Sequence, residues 1–274
     1  MSHTTSLLTV TVTQPAYYAG EQPDETIAAF LSDCLDNAAH GSLIVLPEYA
    51  NAGGLSDPGR ELAALPRAEV MKSAAARAAK ERGLYAAVNV LEERDGELHN
   101  STYLYGKAGR AAFVYDKIHL PPSEIALGMK YGDGACVCDL DGIRFGFMTC
   151  YDVYYNEQIE YLAAQKPDII LVPGYQRGER TDIIRAQAAL CAFRCNAYVL
   201  RSSYSMNDDG HGGCSMIVAP DGQILADMGK EVGCVSAEID PMWKYLRPAG
   251  FGGGMVRNDD FIGQGLRPDV FSGT

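Results

Sequence analysis

The sequence has no run of about eighteen consecutive apolar residues, the shortest segment expected to cross a membrane as a helix. It also has no surplus of positive charge, because 23 Lys and Arg stand against 35 Asp and Glu and give a formal net charge of −12. Nucleic acids and anionic membrane surfaces both require concentrated basic patches. The composition therefore argues against a nucleic-acid partner and against a membrane partner.

The cysteines lack the spacing of a zinc site or a redox pair, since no Cys-x-x-Cys motif occurs. A chain of 274 residues with scattered cysteines also differs from a short, disulfide-dense scaffold. The first twenty residues contain neither the basic segment nor the apolar core of a signal peptide. We therefore expect reduced thiols, no metal or organic cofactor, and a cytoplasmic location. The eight cysteines are Cys34, Cys136, Cys138, Cys150, Cys191, Cys195, Cys214 and Cys234.

Apolar periodicity divides the chain into alternating strands and helices. It predicts a helix that begins near Asp24 as N-cap, a helix that Gly83 ends, and hairpins in the middle of the chain. These hairpins indicate a mixed α/β fold rather than a purely parallel sheet. The predicted helices cover residues 24–39, 67–82, 156–165 and 180–196. The predicted strands cover residues 7–13, 42–46, 84–91, 98–105, 111–115, 143–148, 168–172, 197–201 and 215–219.

The domain organisation follows from the evenness of the sequence. We find no internal repeat, no low-complexity linker and no break in composition. We therefore expect a single domain over residues 1–241. The remaining residues, 242–274, are Gly-rich and predict an extended C-terminal tail.

Cys150 lies where a predicted buried strand ends and a helical segment begins, a sharp turn that would expose its sulfur. The partial positive charge and free N–H groups of a helix N-terminus favour the thiolate form. A lone cysteine is nevertheless more often a packing residue, because free Cys is among the most buried residue types. A nucleophilic role for Cys150 therefore requires partners.

Two charged residues occupy similar positions after predicted strands. Glu48 follows the apolar segment 43–47, and Lys117 follows the predicted strand over 111–115. A carboxylate at such a place is a candidate general base, and an ammonium is a candidate for binding a developing negative charge. Each residue taken alone is more commonly a solvated loop charge.

Taken together and in this order, the three residues resemble the nitrilase superfamily of carbon–nitrogen hydrolases. That family is identified by a Glu, a Lys and a Cys, each in its own local motif. The motifs here are LPEY at 46–49, YDKIHL at 115–120 and CYDVYYNE at 150–157. The resemblance covers about residues 7–239. Asn156 departs from the Pro that the family usually has, and we expect a small structural effect because Pro at the first helical position is dispensable.

The resemblance implies a four-layer α-β-β-α sandwich with mixed sheets and a Glu-Lys-Cys triad. Glu48 would act as base for Cys150, which attacks the carbonyl carbon of an amide and forms a thioester. Lys117 and the backbone N–H of Tyr151 would bind the oxyanion. Many members have a second glutamate after the lysine, and Glu124 matches it. Tails in this family often pack across a two-fold partner, so the resemblance also implies a homodimer or a higher homo-oligomer.

The residues around the cysteine narrow the substrate class. Cys-Tyr-Asp resembles the amidase and carbamoylase branch, whereas nitrilases usually have Cys-Trp-Glu, so an amide is favoured over a nitrile. Carbamoylases and ω-amidases commonly place an Arg shortly after the cysteine, and none stands there. Arg177 is the next basic residue that could bind a carboxylate, unless it is a surface residue paired with Glu179 or Asp182. We predict a small neutral or modestly polar amide, with a pocket formed by Tyr154, Tyr175 and Arg177.

Other functions remain open from the sequence alone. An N-carbamoyl amino acid amidohydrolase, a nitrilase, an acyltransferase or an inactive binding module would all fit the same fold. A Cys–His enzyme would use His119 or His211. A redox protein would need a second thiol near Cys150, supplied by Cys191, Cys195 or Cys214.

Overall fold

Two six-stranded sheets and their flanking helices make up the computed structural model, which describes residues 7–18, 20–55, 57–206 and 210–271. No helix in these ranges is long and apolar enough to cross a membrane. The helices are α1 (Pro23–Asn37), α2 (Pro58–Ala63), α3 (Arg67–Arg82), α4 (Pro122–Ala126), α5 (Asn156–Gln165), α6 (Thr181–Cys195), α7 (Asn258–Gly263) and α8 (Pro268–Phe271). The strands are β1 (Leu8–Gln14), β2 (Leu43–Val45), β3 (Tyr85–Arg94), β4 (Glu97–Tyr105), β5 (Ala111–Asp116), β6 (Val137–Leu140), β7 (Ile143–Phe147), β8 (Ile169–Pro173), β9 (Tyr198–Ser202), β10 (Met216–Val218), β11 (Ile224–Asp227), β12 (Gly233–Ile239), β13 (Leu246–Pro248) and β14 (Met255–Arg257).

Each large sheet is mixed. The first has the strand order β12-β1-β2-β3-β4-β5, and the second has the order β11-β10-β9-β8-β7-β6. In the first sheet β1, β2 and β3 are parallel, and in the second β7, β8 and β9 are parallel. The outer strands of both sheets pair in antiparallel fashion. The mixed arrangement predicted from the hairpins is therefore confirmed.

Apolar side chains fill the space between the two sheets. Val10 of β1 and Val45 of β2 belong to the same buried cluster as Phe147 of β7 and Leu171 of β8. On the outer faces, α1 and α3 cover the first sheet, while α5 and α6 cover the second. The layers thus run α-β-β-α, which is the sandwich that the sequence resemblance implied.

Most predicted elements are present, and the differences have local causes. The helix predicted over 67–82 is α3, and Gly83 ends it in the left-handed region at φ 61°. Asp24 is not the N-cap of α1, because Gln22 holds that position and Pro23 begins the helix. Asp24 instead lies in the first turn and forms an ion pair with Arg67. The short helices α2 and α4 were not predicted, since six and five residues are too few to show helical periodicity.

The segment that begins at residue 242 contains regular elements, where the sequence predicted an extended tail. The strands β13 and β14 form a hairpin, and α7 packs against α5 and α6 of the same chain. Asn258 and Asp259 are buried there, and Asn196 donates a hydrogen bond to the Asp259 carboxylate at 2.8 Å. Residues 272–274 lie outside the described part of the chain. Packing of this segment on a partner subunit stays a prediction.

Candidate active site

The residues assigned from the sequence to an amidase site all line a single cavity of about 570 Å³. The fold brings them together because the strands that precede them end at the same side of the two sheets. Lys117 directly follows β5, while Glu48, Cys150 and Tyr175 follow β2, β7 and β8 within three residues. The residues that line the cavity include Glu48, Lys117, Glu124, Cys150, Tyr151, Tyr154, Tyr175 and Arg177.

The centre of the cavity floor is the ammonium of Lys117, which is 1% exposed. Its Nζ lies 2.8 Å from Oε1 of Glu48 and 2.8 Å from Oε1 of Glu124. Asn100 donates through Nδ2 to the same two oxygens, at 2.8 and 3.1 Å. Burial lowers the pKa of Lys117, but the two neighbouring carboxylates outweigh this effect and raise the pKa above its ordinary value. Lys117 therefore stays protonated in the cavity.

Glu124 has one satisfied oxygen and one free oxygen. Tyr49 donates a hydrogen bond of 2.5 Å to Oε1, the oxygen that Lys117 also contacts. Oε2 is buried and has no hydrogen-bond partner among the described residues. Burial raises the pKa of Glu124, while the charge of Lys117 opposes the shift. A buried oxygen without a partner is costly, so Oε2 is suited to contact a group that enters the cavity.

Cys150 stands on the sharp turn that its sequence position predicts. Its φ is +47°, in the left-handed region that non-glycine residues rarely adopt. It begins a short 3₁₀ turn, Cys150–Tyr154, which a reciprocal capping box between Thr149 and Asp152 stabilises. This strained backbone directs the side chain into the cavity, and such strain is typical of functional positions.

The protonation state of Cys150 differs from the one that the helix N-terminus predicts. Burial and the negative charge of Glu48 raise the pKa of the thiol well above its ordinary value, and the opposing charge of Lys117 does not compensate. Desolvation outweighs the local helical dipole because the sulfur lies beside the buried carboxylate of Glu48. The resting group is a neutral thiol next to Glu48.

Asp152 connects the cysteine turn to the lysine segment, although the sequence analysis gave it no role. Its buried carboxylate accepts hydrogen bonds from the Tyr115 hydroxyl at 2.5 Å and from the Thr149 N–H at 2.7 Å. It also accepts from the backbone N–H of His119 at 2.9 Å. Asp152 thereby fixes the position of His119, which lies two residues after Lys117.

The histidines do not join the cysteine. His119 contacts Asp152 and Glu157 through its two ring nitrogens, each at 3.0 Å, and stacks on Tyr155 at 3.8 Å. Neither His119 nor His211 is among the residues that line the cavity. Within the described residues, the geometry therefore gives no support to a Cys–His pair.

Several residues that hold the site were missed by the sequence analysis. Asn89 accepts from the N–H of Tyr49 at 2.8 Å and donates to Oδ1 of Asn100 at 2.7 Å. The Tyr204 hydroxyl donates to the backbone carbonyl of Glu48 at 2.6 Å. The one available signal was Asn89 itself, a polar residue within the apolar part of β3. Asn100 and Tyr204 have no distinctive local pattern, and Tyr49 belongs to the LPEY motif without a role that the motif reveals.

Arg177 lies at the mouth of the cavity rather than in a surface ion pair. Its Nη1 donates to the Tyr17 hydroxyl at 3.0 Å, and its guanidinium lies 5.0 Å from the ring centre of Tyr175. The carboxylates that the sequence offered as partners are engaged elsewhere. Glu179 accepts from the Tyr154 hydroxyl at 2.7 Å, and Asp182 pairs with Arg180.

The other cysteines lie apart from the cavity. Cys191, Cys195 and Cys214 belong to the core cluster between and behind the sheets. None of the eight cysteines forms a disulfide, and the core thiols contact groups other than Cys150: Cys191 contacts the Met148 sulfur and Cys195 donates to the Ile159 carbonyl. A resolving thiol for a redox reaction is therefore not present among the described residues around Cys150.

Comparison with known proteins identifies the same family that the three motifs indicate. A family model described as carbon-nitrogen hydrolase matches residues 11–247. The 2-oxoglutaramate amidase of Bacillus subtilis is 27% identical over 212 residues, which cover 73% of this chain and 79% of that protein. An omega-amidase of Xenopus laevis is 26% identical over 178 residues, which cover 59% of this chain and 63% of that protein.

Solved structures show the same fold. An amidase from Nesterenkonia sp. superposes with a TM-score of 0.72 at 20% identity and covers 85% of this chain and 90% of that chain. A mutant of the Nesterenkonia AN1 amidase, described as a member of the nitrilase superfamily, gives a TM-score of 0.71 at 19% identity with the same coverage. The α-β-β-α sandwich is therefore a fold that this chain shares with these amidases.

We expect Asp152→Asn to lower the free energy of unfolding by about 2 to 3 kcal/mol, because it removes charge-assisted hydrogen bonds in a buried position. Urea denaturation measures the effect. Asp139→Asn is the control, since Asp139 is an exposed partner of Arg144 and its loss should cost far less. Equal stability of the two variants would contradict the linking role of Asp152.

His119 predicts a pH-dependent contribution to stability. Its hydrogen bond to Asp152 raises the pKa of the imidazole, with Glu157 adding to the shift and partial burial opposing it. Because the pKa of His119 is higher in the folded state, its interactions stabilise the fold fully below the unfolded pKa of about 6.5. This stabilisation is lost as the pH rises through the folded pKa. His119→Gln should therefore destabilise the protein more at about pH 5.5 than at about pH 8.5. A pH-independent difference, or an equal effect from the exposed His40→Gln control, would refute the assignment.

Proposed function

The chain belongs to the carbon–nitrogen hydrolase family, in the nitrilase superfamily, and we propose that it hydrolyses a small amide to an acid and ammonia through a thioester on Cys150. The observation that carries this proposal is the composition of the cavity floor. One neutral thiol, one ammonium and two carboxylates meet there, and Lys117 lies 2.8 Å from both carboxylates. These groups supply a nucleophile, a base and a fixed positive charge.

The first step is attack by sulfur. Because burial and Glu48 keep the Cys150 thiol protonated, the proton must leave as the bond to carbon forms. Glu48 is the neighbouring carboxylate and accepts that proton. As the proton leaves, the sulfur adds to the carbonyl carbon of the amide. The C–N bond of the substrate breaks in the step that follows.

The negative charge on the substrate oxygen needs donors that are already in place. Lys117 supplies one through its ammonium. Tyr151 supplies a second, because it is the second residue of the turn Cys150–Tyr154 and its N–H has no acceptor within that turn. Both residues line the cavity.

The remaining steps return the enzyme to its starting state. Glu48 gives its proton to the departing nitrogen, ammonia leaves, and the acyl group remains on Cys150 as a thioester. Water then loses a proton to Glu48 and attacks the thioester carbon. The C–S bond breaks, the acid is released, and Glu48 returns the proton to the sulfur, which restores the thiol. The free Oε2 of Glu124 accepts a hydrogen bond from the substrate amide nitrogen, while Oε1 holds Lys117.

For the substrate we propose only a chemical class. An amide is favoured over a nitrile or a carbamoyl group, because relatives of similar sequence are named amidases.

We also propose a cytoplasmic homodimer or higher homo-oligomer without a nucleic-acid or membrane partner. Apolar side chains that are exposed in the C-terminal segment support association, and static light scattering on the purified protein tests it. These side chains are Met242, Trp243, Leu246, Phe251 and Met255.

We expect Cys150→Ala to lower ammonia release from amides by at least about a thousandfold, because the thioester cannot form. The measurement is ammonia release from a panel of amides, nitriles and N-carbamoyl amino acids. Cys138→Ala is the control, since Cys138 is a half-buried thiol on β6 outside the cavity. Full activity of Cys150→Ala would refute the mechanism, and turnover of nitriles alone would refute the amide assignment.

Glu48→Gln separates the two effects of this carboxylate on the cysteine. The substitution removes the proton acceptor, so amide turnover should fall by at least about a hundredfold. It also removes a negative charge beside the sulfur and leaves Lys117 in place, so the pKa of Cys150 should fall. The rate of Cys150 alkylation by iodoacetamide, followed by mass spectrometry against pH, should therefore shift to lower pH. Retained turnover, an upward shift, or the same result from the exposed Glu97→Gln control would contradict the role of Glu48.

A further inference from the structure

Two side chains of opposite charge lie at the mouth of the cavity and have no ion-pair partner among the described residues. Arg177 follows β8 and contacts the Tyr17 hydroxyl and the ring of Tyr175. Glu61 lies in the short helix α2 and also lines the cavity. Neither charge takes part in the proposed reaction.

The two charges are near one another without being in contact. Burial raises the pKa of Glu61, and the charge of Arg177 opposes that shift, so the two groups are within electrostatic range. They do not form an ion pair with each other, so both charges are available to a ligand that enters the cavity. An opening of this kind matches a ligand that carries both charges.

Their exposure places these two charges further out in the cavity than the reacting groups, although Glu61 remains within electrostatic range of Glu124 and Glu48. Glu48 and Lys117 are each 1% exposed on the cavity floor. Arg177 is exposed and Glu61 is half-buried, so they belong to the outer end. A substrate that uses both ends must therefore carry its amide at one terminus and its charged groups several bonds away.

We propose that the mouth binds the zwitterionic head group of an α-amino acid whose side chain ends in a carboxamide. This rests on the proposed amide hydrolysis at Cys150. Arg177 binds the α-carboxylate, because a guanidinium presents paired donors that match a carboxylate. Glu61 binds the α-ammonium. A ligand with only one of these charges leaves the other mouth residue unmatched and faces a group of its own sign.

Solvent exposure of Arg177 and Glu61 limits how much their charges contribute to substrate preference. Charges at the opening are screened by water and by salt, so each contributes roughly threefold to kcat/KM, and the two together about tenfold. The preference should weaken as ionic strength rises. A purely apolar fit between the substrate chain and the tyrosines would not show this salt dependence.

The test compares amides of similar length and different charge in the wild-type protein. The four compounds are L-glutamine, which is zwitterionic, glutaramate, which is anionic, 4-aminobutanamide, which is cationic, and butanamide, which is neutral. We expect kcat/KM for ammonia release to be highest for L-glutamine, about tenfold above butanamide, with the advantage reduced at high salt. A higher value for glutaramate or butanamide would overturn the proposal while leaving amide hydrolysis intact. No ammonia from any of the four would overturn amide hydrolysis itself, and the head-group proposal with it.

Variants assign each charge to its residue. Arg177→Gln should lower the ratio of L-glutamine to 4-aminobutanamide turnover, and Glu61→Gln should lower the ratio of L-glutamine to glutaramate turnover. Arg180→Gln is the matched control, since Arg180 pairs with Asp182 and does not line the cavity. Unchanged ratios in the first two variants would overturn the assignment. Because the wild-type ranking and its salt dependence do not depend on any variant, the proposal stays falsifiable if a variant fails to fold.

Discussion

The site depends on one buried cation shared by two buried carboxylates. Ionised groups removed from water are expensive unless they are paired and hydrogen-bonded, and removing one partner leaves the others uncompensated. Lys117, Glu48 and Glu124 satisfy this condition at 2.8 Å, with Asn100 donating to both carboxylates. The ends of β2 and β5 and the helix α4 must therefore meet at one point, which constrains how the first sheet and its loops are built.

A second constraint positions the thiol against that cation. Cys150 occupies a left-handed conformation that a side chain adopts only when its surroundings impose it. Asp152 imposes it from both sides, because its carboxylate binds the N–H of Thr149 before the turn and the N–H of His119 near the lysine. The strand end of the second sheet is thereby tied to a loop of the first sheet, and the nucleophile keeps its place relative to Lys117.

The sequence was sufficient for features that short-range patterns determine. α3 begins and ends where its periodicity and Gly83 indicate, and Glu48, Lys117 and Cys150 were recognised from motifs that follow apolar strands. Features that arise from tertiary contacts could not be predicted from the sequence. The helix N-terminus predicted an acidic thiol, whereas burial and Glu48, distant in sequence, raise the pKa of Cys150. Tyr49 and Asn100 hold the carboxylates through contacts that no local pattern reveals.

The reaction follows from local sequence patterns, whereas the choice of substrate follows from tertiary contacts. The groups on the cavity floor come from the three motifs, and their spacing is fixed because buried charges tolerate little displacement. The groups at the mouth come from α2 and from the loop after β8, and neither segment belongs to a motif. Exposed charges there are energetically weak enough to change without loss of the fold. A sequence can therefore identify the bond that is broken, while we propose that the compound that carries the bond is selected by side chains, such as Arg177 and Glu61, that only the fold brings into one cavity.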